Sequence, residues 1–272
     1  FSRSSMQIWT HDHKVLVVSI DTPRPPLDKS VISQKISQYW RVSVVEVTGS
    51  TQDDLAAQLS LNEVKSGEVL VTEFQSSGRG RLDRTFEAPV GSALLFSLYI
   101  EPKREKNEWS FLPILAGLVS TFALSQLDPR FSVELKWPND LQISSRKLGG
   151  IIAQATDRGV ILGIGINVGM TEEELPTESA TSLLIEGFDL LDRNLILSSI
   201  LNTFEELLGR WEDGEDLRHL YRERSATLNQ KIQVELPGGE KRNGFAEDIS
   251  PVGELILEDG ERITVGDIVH LR

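Results

Sequence analysis

The sequence predicts an α+β protein in which a mixed β-sheet is flanked by helices and followed by a small β-barrel. Three observations lead there. Between Leu27 and Arg224 the apolar residues alternate between a period of two and a period near 3.6, the signature of strands interleaved with helices. From Thr227 onward they settle into short strand-like runs punctuated by Gly238, Gly239, Gly253, Gly260 and Gly266. A chain of 272 residues suits one large domain and one small one, so boundaries are expected at 1–26 for an N-terminal extension or cloning remnant, 27–226 for the main domain and 227–272 for the small one.

The elements follow in order. Lys14 to Ile20 reads as a short strand, and Asp21 to Pro26 as a stiff linker whose prolines fix φ and cannot extend a ladder. A helix is expected from Asp28 to about Tyr39, a β-branched strand over Val42 to Val47, and a second helix capped by the hydroxyl of Ser50 or Thr51. Strands at Glu68 to Phe74 and Ala93 to Ile100 are joined by a loop rich in glycine and arginine. The stretch Asn107 to Leu127 places Trp109, Leu112, Leu115, Val119, Phe122 and Ala123 near one helical face, which should cover a sheet. Strands through Val133 to Lys136, Lys147 to Ala155 and Val160 to Ile166 are separated by turns at Pro138 to Asp140 and Arg158 to Gly159. Helices over Arg193 to Trp211 and Asp216 to Arg224 close the main domain. Five short strands then follow: Lys231 to Leu236, Asn243 to Ile249, Leu255 to Leu257, Arg262 to Val265 and Ile268 to Leu271.

Composition narrows the function. A net charge of −13 repels phosphate backbones, so neither DNA nor an anionic membrane is expected as the main partner. No cysteine is present, which removes disulfides, thiolate metal sites and a cysteine nucleophile, and fits a cytoplasmic location. The longest apolar runs, such as Ala93 to Ile100, fall well short of the roughly 20 residues a membrane span needs. Histidines stand only at 11, 13, 219 and 270, and neither HExxH, nor a GxSxG elbow, nor a phosphate-cradling GxxxxGK[ST] loop occurs.

Five segments carry chemistry. Gln75 to Arg84, QSSGRGRLDR, sets Arg79, Arg81 and Arg84 within six positions of an acidic chain, with Gly78 and Gly80 allowing close backbone approach. Arginine forks suit phosphate and carboxylate oxygens, although a solvated hairpin whose arginines pair with acids such as Asp83 reads equally well. Lys136 to Asp140, KWPND, leaves a lysine between Leu135 and Trp137 at a strand end, where its ammonium calls for an anion or snorkels to solvent. Asp140 fits either an Asx turn or a magnesium ligand. Clustered glycines in KLGGII (147 to 152) and GIGIN (163 to 167) point to close approach by a flat ligand or by another backbone. EVTGSTQ (46 to 52) offers small hydroxyls for a polar head group or for simple helix capping.

Taken in order, GSTQ at 49–52, QSSGRGRLDRTF at 75–86, KWPND at 136–140, KLGGII at 147–152, GIGIN at 163–167 and TSL at 181–183 resemble the biotin protein ligase family, over roughly Leu27 to Arg272. The resemblance implies a sheet like that of class II aminoacyl-tRNA synthetases and an SH3-like C-terminal barrel. It implies an ATP-dependent ligase that forms biotinyl-5'-AMP and passes biotin to a lysine on the biotinyl carrier domain of a biotin-dependent carboxylase. ATP and biotin are then substrates with Mg²⁺ assisting, and a homodimer is compatible with the family.

By the same resemblance, biotin contacts fall to Ser50, Thr51, Gln52, Gln75, Gly78, Arg79, Gly80, Arg81, Lys136, Gly149, Gly150 and Ile151, and nucleotide contacts to Arg81, Arg84, Phe86, Lys136, Asn139 and Asn167. Lys136 and Arg81 become the catalytic pair that lets an anionic carboxylate approach an anionic phosphate. Two departures stand out. Many members carry tryptophan at Phe86 and a basic residue or histidine at Leu82, so a positive charge is missing from the loop. Only about 26 residues precede Leu27, so a ligase without a DNA-binding repressor module is expected. The alternatives are a lipoate ligase-like acyl-adenylating enzyme and a non-catalytic ligand-binding module on the same fold.

Overall fold

The computed structural model describes residues 8–11, 14–17, 24–81 and 84–271. Phe1 to Ser5, residues 18–23 of the expected first strand and linker, and Leu82 and Asp83 lie outside them. A short antiparallel hairpin, β1 (Ile8–His11) with β2 (Lys14–Val17), precedes the main domain. Of these two strands the sequence suggested only the second.

The first helix, α1 (Lys29–Ser33), stops well before Tyr39. Asp28 caps it by accepting from the Ser30 and Val31 amides, but the following Ile36 and Ser37 are weak helix formers, and the Ser37 hydroxyl instead holds the Tyr39 amide in a turn. Next come β3 (Arg41–Thr48), α2 (Thr51–Ser60) and β4 (Glu68–Gln75). β3 and β4 pair in parallel, which requires a crossover, and α2 supplies it. β5 (Ala93–Ile100) is antiparallel to both β4 and β9 (Val160–Asn167). Both β5 and β9 are buried along their full length, so they read as continuous apolar runs rather than alternating ones.

β9 pairs with β8 (Arg146–Ala155), β8 with β7 (Asp140–Ile143), and β7 with β6 (Glu134–Lys136), giving a seven-stranded mixed sheet in the order β3-β4-β5-β9-β8-β7-β6. The sequence reading missed β7. Its turn into β8 is made by Ser144 and Ser145, both at positive φ, where glycine or asparagine would ordinarily announce a two-residue hairpin.

One face of the sheet packs on α2 through Leu55, Val64, Leu70, Tyr99 and Ile161. The other carries α3 (Leu112–Leu127) and α5 (Arg193–Glu212). The expected single-faced helix from Asn107 is corrected in two ways. Residues Lys106–Phe111 form a 3₁₀ turn, because the α-helix can begin only where Pro113 falls in its first turn and its missing N–H is harmless. The helix is also buried on nearly all sides, sandwiched between the sheet and α5. Lys106–Leu127 is in fact long and apolar enough to cross a membrane by length and composition, contrary to the estimate from apolar runs; here it is mostly interior. Leu135 packs directly on Gly117, where a Cβ would come within 2.5 Å of Leu135 Cδ2. Short helices α4 (Leu183–Glu186) and α6 (Arg218–Arg224) complete the layer.

After α6, β10 (Lys231–Glu235), β11 (Lys241–Ile249), β12 (Leu255–Leu257), β13 (Arg262–Ile263) and β14 (Asp267–His270) form a five-stranded antiparallel sheet in the order β13-β12-β11-β10-β14. β11 belongs to both halves: its first part pairs with β10 and, past a bulge between Ala246 and Asp248, the rest pairs with β12. This sheet docks beneath the KWPND segment. The Trp137 amide donates to Thr227 Oγ1 at 2.9 Å, its indole N–H donates to the Gly253 carbonyl at 3.0 Å, and the Ser110 hydroxyl donates to the Val252 carbonyl at 2.8 Å.

Candidate active site

The carboxyl end of β4, the start of α2, the glycine-bearing stretches of β8 and β9, and the first residue of β14 converge on one cleft of ≈ 300 Å³. Its deep end is polar. Ser50 caps α2, its hydroxyl accepting from the Asp53 amide, and Thr51 opens the helix. The Thr51 amide donates to Gln75 Oε1 at 2.8 Å and the Thr51 hydroxyl donates to the same oxygen at 3.0 Å. Gln52 is only 3% exposed, yet its Oε1 has no hydrogen-bond partner among the described residues, a costly state for a buried amide unless a ligand supplies the donor. That oxygen lies against Gly163, where a Cβ would come within 2.3 Å of it. Four predicted residues, Ser50, Thr51, Gln52 and Gln75, therefore stand together as one polar box.

The floor is glycine. Gly150 faces Gly165 across β8 and β9, and both line the cleft beside Gly163. Gly149 does not: a Cβ there would lie 2.3 Å from the Gly165 carbonyl, so its glycine serves close strand approach. Ile151 is likewise corrected. Strand alternation turns it into the core, 1% exposed, and Ile152 forms the apolar wall instead.

The rim is cationic. Lys136 lines the cleft half-buried, and among the described residues no carboxylate lies within ion-pair distance of it. Lys147 lines it too, its ammonium 2.7 Å from Asp140 Oδ1 and close to Gly150. The sequence reading quoted Lys147 within its motif without giving it a role. An extra residue on β8, opposite the step from Leu141 to Gln142, breaks the simple alternation by which its direction could have been read. Arg81 donates to Asn139 Oδ1 at 3.1 Å and sits 3.5 Å from Asp267. Burial pulls its guanidinium below the ordinary range while Asp267 and Asp140 oppose that shift, and an arginine remains charged regardless. Arg84 pairs with the other oxygen of Asp267, and Arg79 with Asp53 at the exposed mouth, 2.7 Å apart.

The glycine–arginine segment is a small hairpin. The Phe86 amide donates to the Gly78 carbonyl, the Gly80 amide donates to the Arg84 carbonyl, and Arg79 bridges Thr85. Gly78 is thus a closure point of this hairpin, with 2.3 Å between a would-be Cβ and the Phe86 carbonyl, and it does not line the cleft. Gly80 and Phe86 do; the Phe86 ring stands over Gly165, where a Cβ would come within 2.8 Å of it.

Of the two asparagines expected at the nucleotide, Asn139 lines the cleft and Asn167 does not. The Asn139 amide is engaged at both ends, receiving from Arg81 and donating to the Ile151 carbonyl at 2.7 Å, so it braces the rim. Asn167 is buried, donates to the Thr181 carbonyl at 2.9 Å and lies outside the cleft lining. Asp140 is taken up by Lys147, and among the described residues no group of three histidine or acidic side chains could hold a metal. A magnesium held by protein ligands alone does not fit. Sequence reasoning also missed Ser97, which hydrogen-bonds Thr51, and Asp267 and Ile268, which arrive from the far C-terminal sheet.

Residues 44–171 match the biotin/lipoate A/B protein ligase family model. The chain is 36% identical to a biotin–(acetyl-CoA-carboxylase) ligase of Mycobacterium tuberculosis over 93% of its own length and 98% of that protein's. The chain belongs to the biotin protein ligase family. Among other biotin protein ligases and their kin, a bifunctional ligase/repressor of Escherichia coli is 29% identical over 80% of the chain and 69% of its own length. The biotin protein ligase of Aquifex aeolicus, solved in complex with biotin and ATP, superposes with a TM-score of 0.73 at 27% identity, covering 85% of this chain and 99% of that one. The mixed sheet flanked by helices is the biotin protein ligase architecture.

Proposed function

We propose that the cleft joins biotin to ATP and then passes biotin to a lysine of a carboxylase biotinyl domain. The observation that carries this reading is the sequence of environments along one cleft: a polar box with a free amide acceptor, a glycine floor, then Lys136, Lys147 and Arg81. A bicyclic urea fits the box, a valeryl chain fits the glycine floor against Ile152, and its carboxylate reaches the cations. Phe86 offers a face for adenine.

In the first step a carboxylate oxygen attacks the α-phosphorus, a C–O–P bond forms and pyrophosphate departs. Both partners are anionic, so the charges of Lys136, Lys147 and Arg81 lower the barrier by compensating the repulsion where it grows. Holding the two in line contributes the rest. In the second step the neutral lysine amine attacks the acyl carbon, the C–O bond breaks and AMP leaves. Arg81 and the hairpin that carries it shield the mixed anhydride from water between steps.

The organisation is also part of the proposal. Residues 27–226 form the catalytic domain and 227–272 an SH3-like one, a reading supported by the way β11 serves both halves of the small sheet. The test is pyrophosphate release with ATP, Mg²⁺ and either biotin or lipoate, followed by transfer to a purified biotinyl domain. Release with biotin alone and biotinylation of one lysine are expected. Release with lipoate but not biotin would assign the cleft to the other branch of the family.

A further inference from the structure

We infer that Arg24 is a positioning residue for the nucleotide end of the cleft, acting through residues 169–175 and Phe86; the inference rests on the ligase reading and deepens it. Arg24 stands just ahead of α1 with its side chain 11% exposed, and it fastens two distant loops together. Its guanidinium donates to the Gly169 carbonyl at 2.8 Å and to the Val90 carbonyl at 3.4 Å, and it pairs with Glu174, which is enclosed to the same degree. None of these three partners lines the cleft.

Their neighbours reach it. Met170 follows Gly169 and Leu175 follows Glu174; with Ala88, Ala93 and Leu95 they form a small apolar cluster, and Phe86 packs against it. Leu95 and Phe86 line the cleft, where the Phe86 ring stands over Gly165. The face offered to adenine is therefore backed by the two loops that Arg24 joins. These loops also meet directly, the Val168 and Gly169 amides donating to the Ser92 carbonyl at 3.1 and 2.7 Å. Solvent screens an ion pair this enclosed only weakly, so it can hold a short loop in one arrangement.

The segment that carries Arg24 does not need that side chain for its own placement. Arg193 donates to the Pro25 carbonyl at 2.9 Å and pairs with Glu73 at 2.6 Å, and Glu73 accepts from the Leu27 amide. Asn194 donates to the Pro26 carbonyl at 3.0 Å and accepts from the Asp28 amide at 2.7 Å. What Arg24 adds is the tie to the loops, and that tie has a bond in reserve. Arg24 Nε and Glu174 Oε1 are both buried without a partner among the described residues, while Glu174 Oε2 serves Arg24 and the Thr171 amide together. A small rotation makes the pair two-pronged, the stronger geometry for arginine with a carboxylate. Closing it as the nucleotide seats against Phe86 couples the loop to the ligand.

The test titrates the full chain calorimetrically with biotin, and the biotin-saturated chain with the α,β-methylene analogue of ATP, which cannot release pyrophosphate. Arg24→Ala should weaken the nucleotide analogue about tenfold, the scale of one charge-assisted hydrogen bond, and leave biotin unchanged. Glu174→Gln should weaken it less, and the double variant no more than Arg24→Ala alone, since both changes open the same tie. Arg24→Lys, which keeps the charge and loses the fork, should recover part of the affinity. Unchanged nucleotide affinity, an equal loss for biotin, or a lysine variant as weak as alanine would overturn the inference. The ligase reading fails separately. A wild-type chain that binds the analogue but releases no pyrophosphate from biotin and ATP would defeat that reading and leave the role of Arg24 at the nucleotide standing, whereas no binding of nucleotide at all would overturn both.

Discussion

At the scale of single residues, the cleft divides its charge unevenly. Lys136 has no carboxylate partner among the described residues, whereas Lys147 neutralises Asp140 at 2.7 Å. Removing either ammonium takes away compensation for the attacking carboxylate and the phosphate, worth on the order of 10²–10³ in turnover for a preorganised donor. Lys147→Ala also strands a carboxylate beside the phosphates, so its loss of pyrophosphate release should exceed that of Lys136→Ala, with both variants folded by circular dichroism. Equal rates would mean that Asp140 is screened from the reacting atoms. Arg81→Ala should slow adenylation and let adenylate escape faster, read as free biotinyl-AMP in a filter assay. Phe86→Ala removes the stacking face, about 1–3 kcal/mol for a base on an aromatic ring, and should raise KM for ATP roughly tenfold or more while KM for biotin holds.

At the scale of elements, two neighbouring glycines of β8 should behave oppositely. In Gly149→Ala the new methyl meets the Gly165 backbone at 2.3 Å, and neither strand can yield without breaking the ladder. Overpacking of that kind costs about 1–3 kcal/mol, so the melting temperature should fall. In Gly150→Ala the nearest atom is 3.6 Å away, so stability should hold while the methyl intrudes on the cleft floor and KM for biotin rises. A stability loss at Gly150 with normal biotin kinetics would reverse these roles.

The same strands show what the sequence could and could not convey. Period made β3, β4, β5, β8 and β9 legible and left the cap of α2 open between Ser50 and Thr51, while the grouping of Ser50, Thr51, Gln52 and Gln75 came only from the resemblance. β7 was hidden because its hairpin turn uses two serines at positive φ, and Lys147 because a bulge changes the side to which it points. Ile151 and Asn167 were placed by motif, yet strand parity sends the first into the core and the Thr181 carbonyl captures the second. Ser97 carried no local signal at all, since a serine inside an apolar strand acquires meaning only from Thr51 and Gln75 on other elements.

At the scale of the whole molecule, the C-terminal sheet contributes to the cleft through β14, and this creates a dependence on pH. Asp267 bridges the arginine hairpin, while His270, three residues on, lies half-buried near Lys136 of the large sheet. Its imidazole is held below the ordinary histidine range, first by burial and then by the Lys136 charge, and among the described residues its buried Nε2 has no partner. A histidine that binds its proton less readily when folded than when unfolded makes the unfolded state the better proton acceptor, so stability falls as pH drops through about 6.5 and levels off below the folded value. The small sheet should therefore loosen from the large one between about pH 7 and pH 5, read as faster amide exchange in β10 and β14 before the large sheet responds. His270→Asn should flatten the dependence and keep the melting temperature at pH 5.5 closer to its value at pH 7.5. An unchanged pH slope in that variant would show that the two sheets stay joined through Asp267 and Trp137 alone.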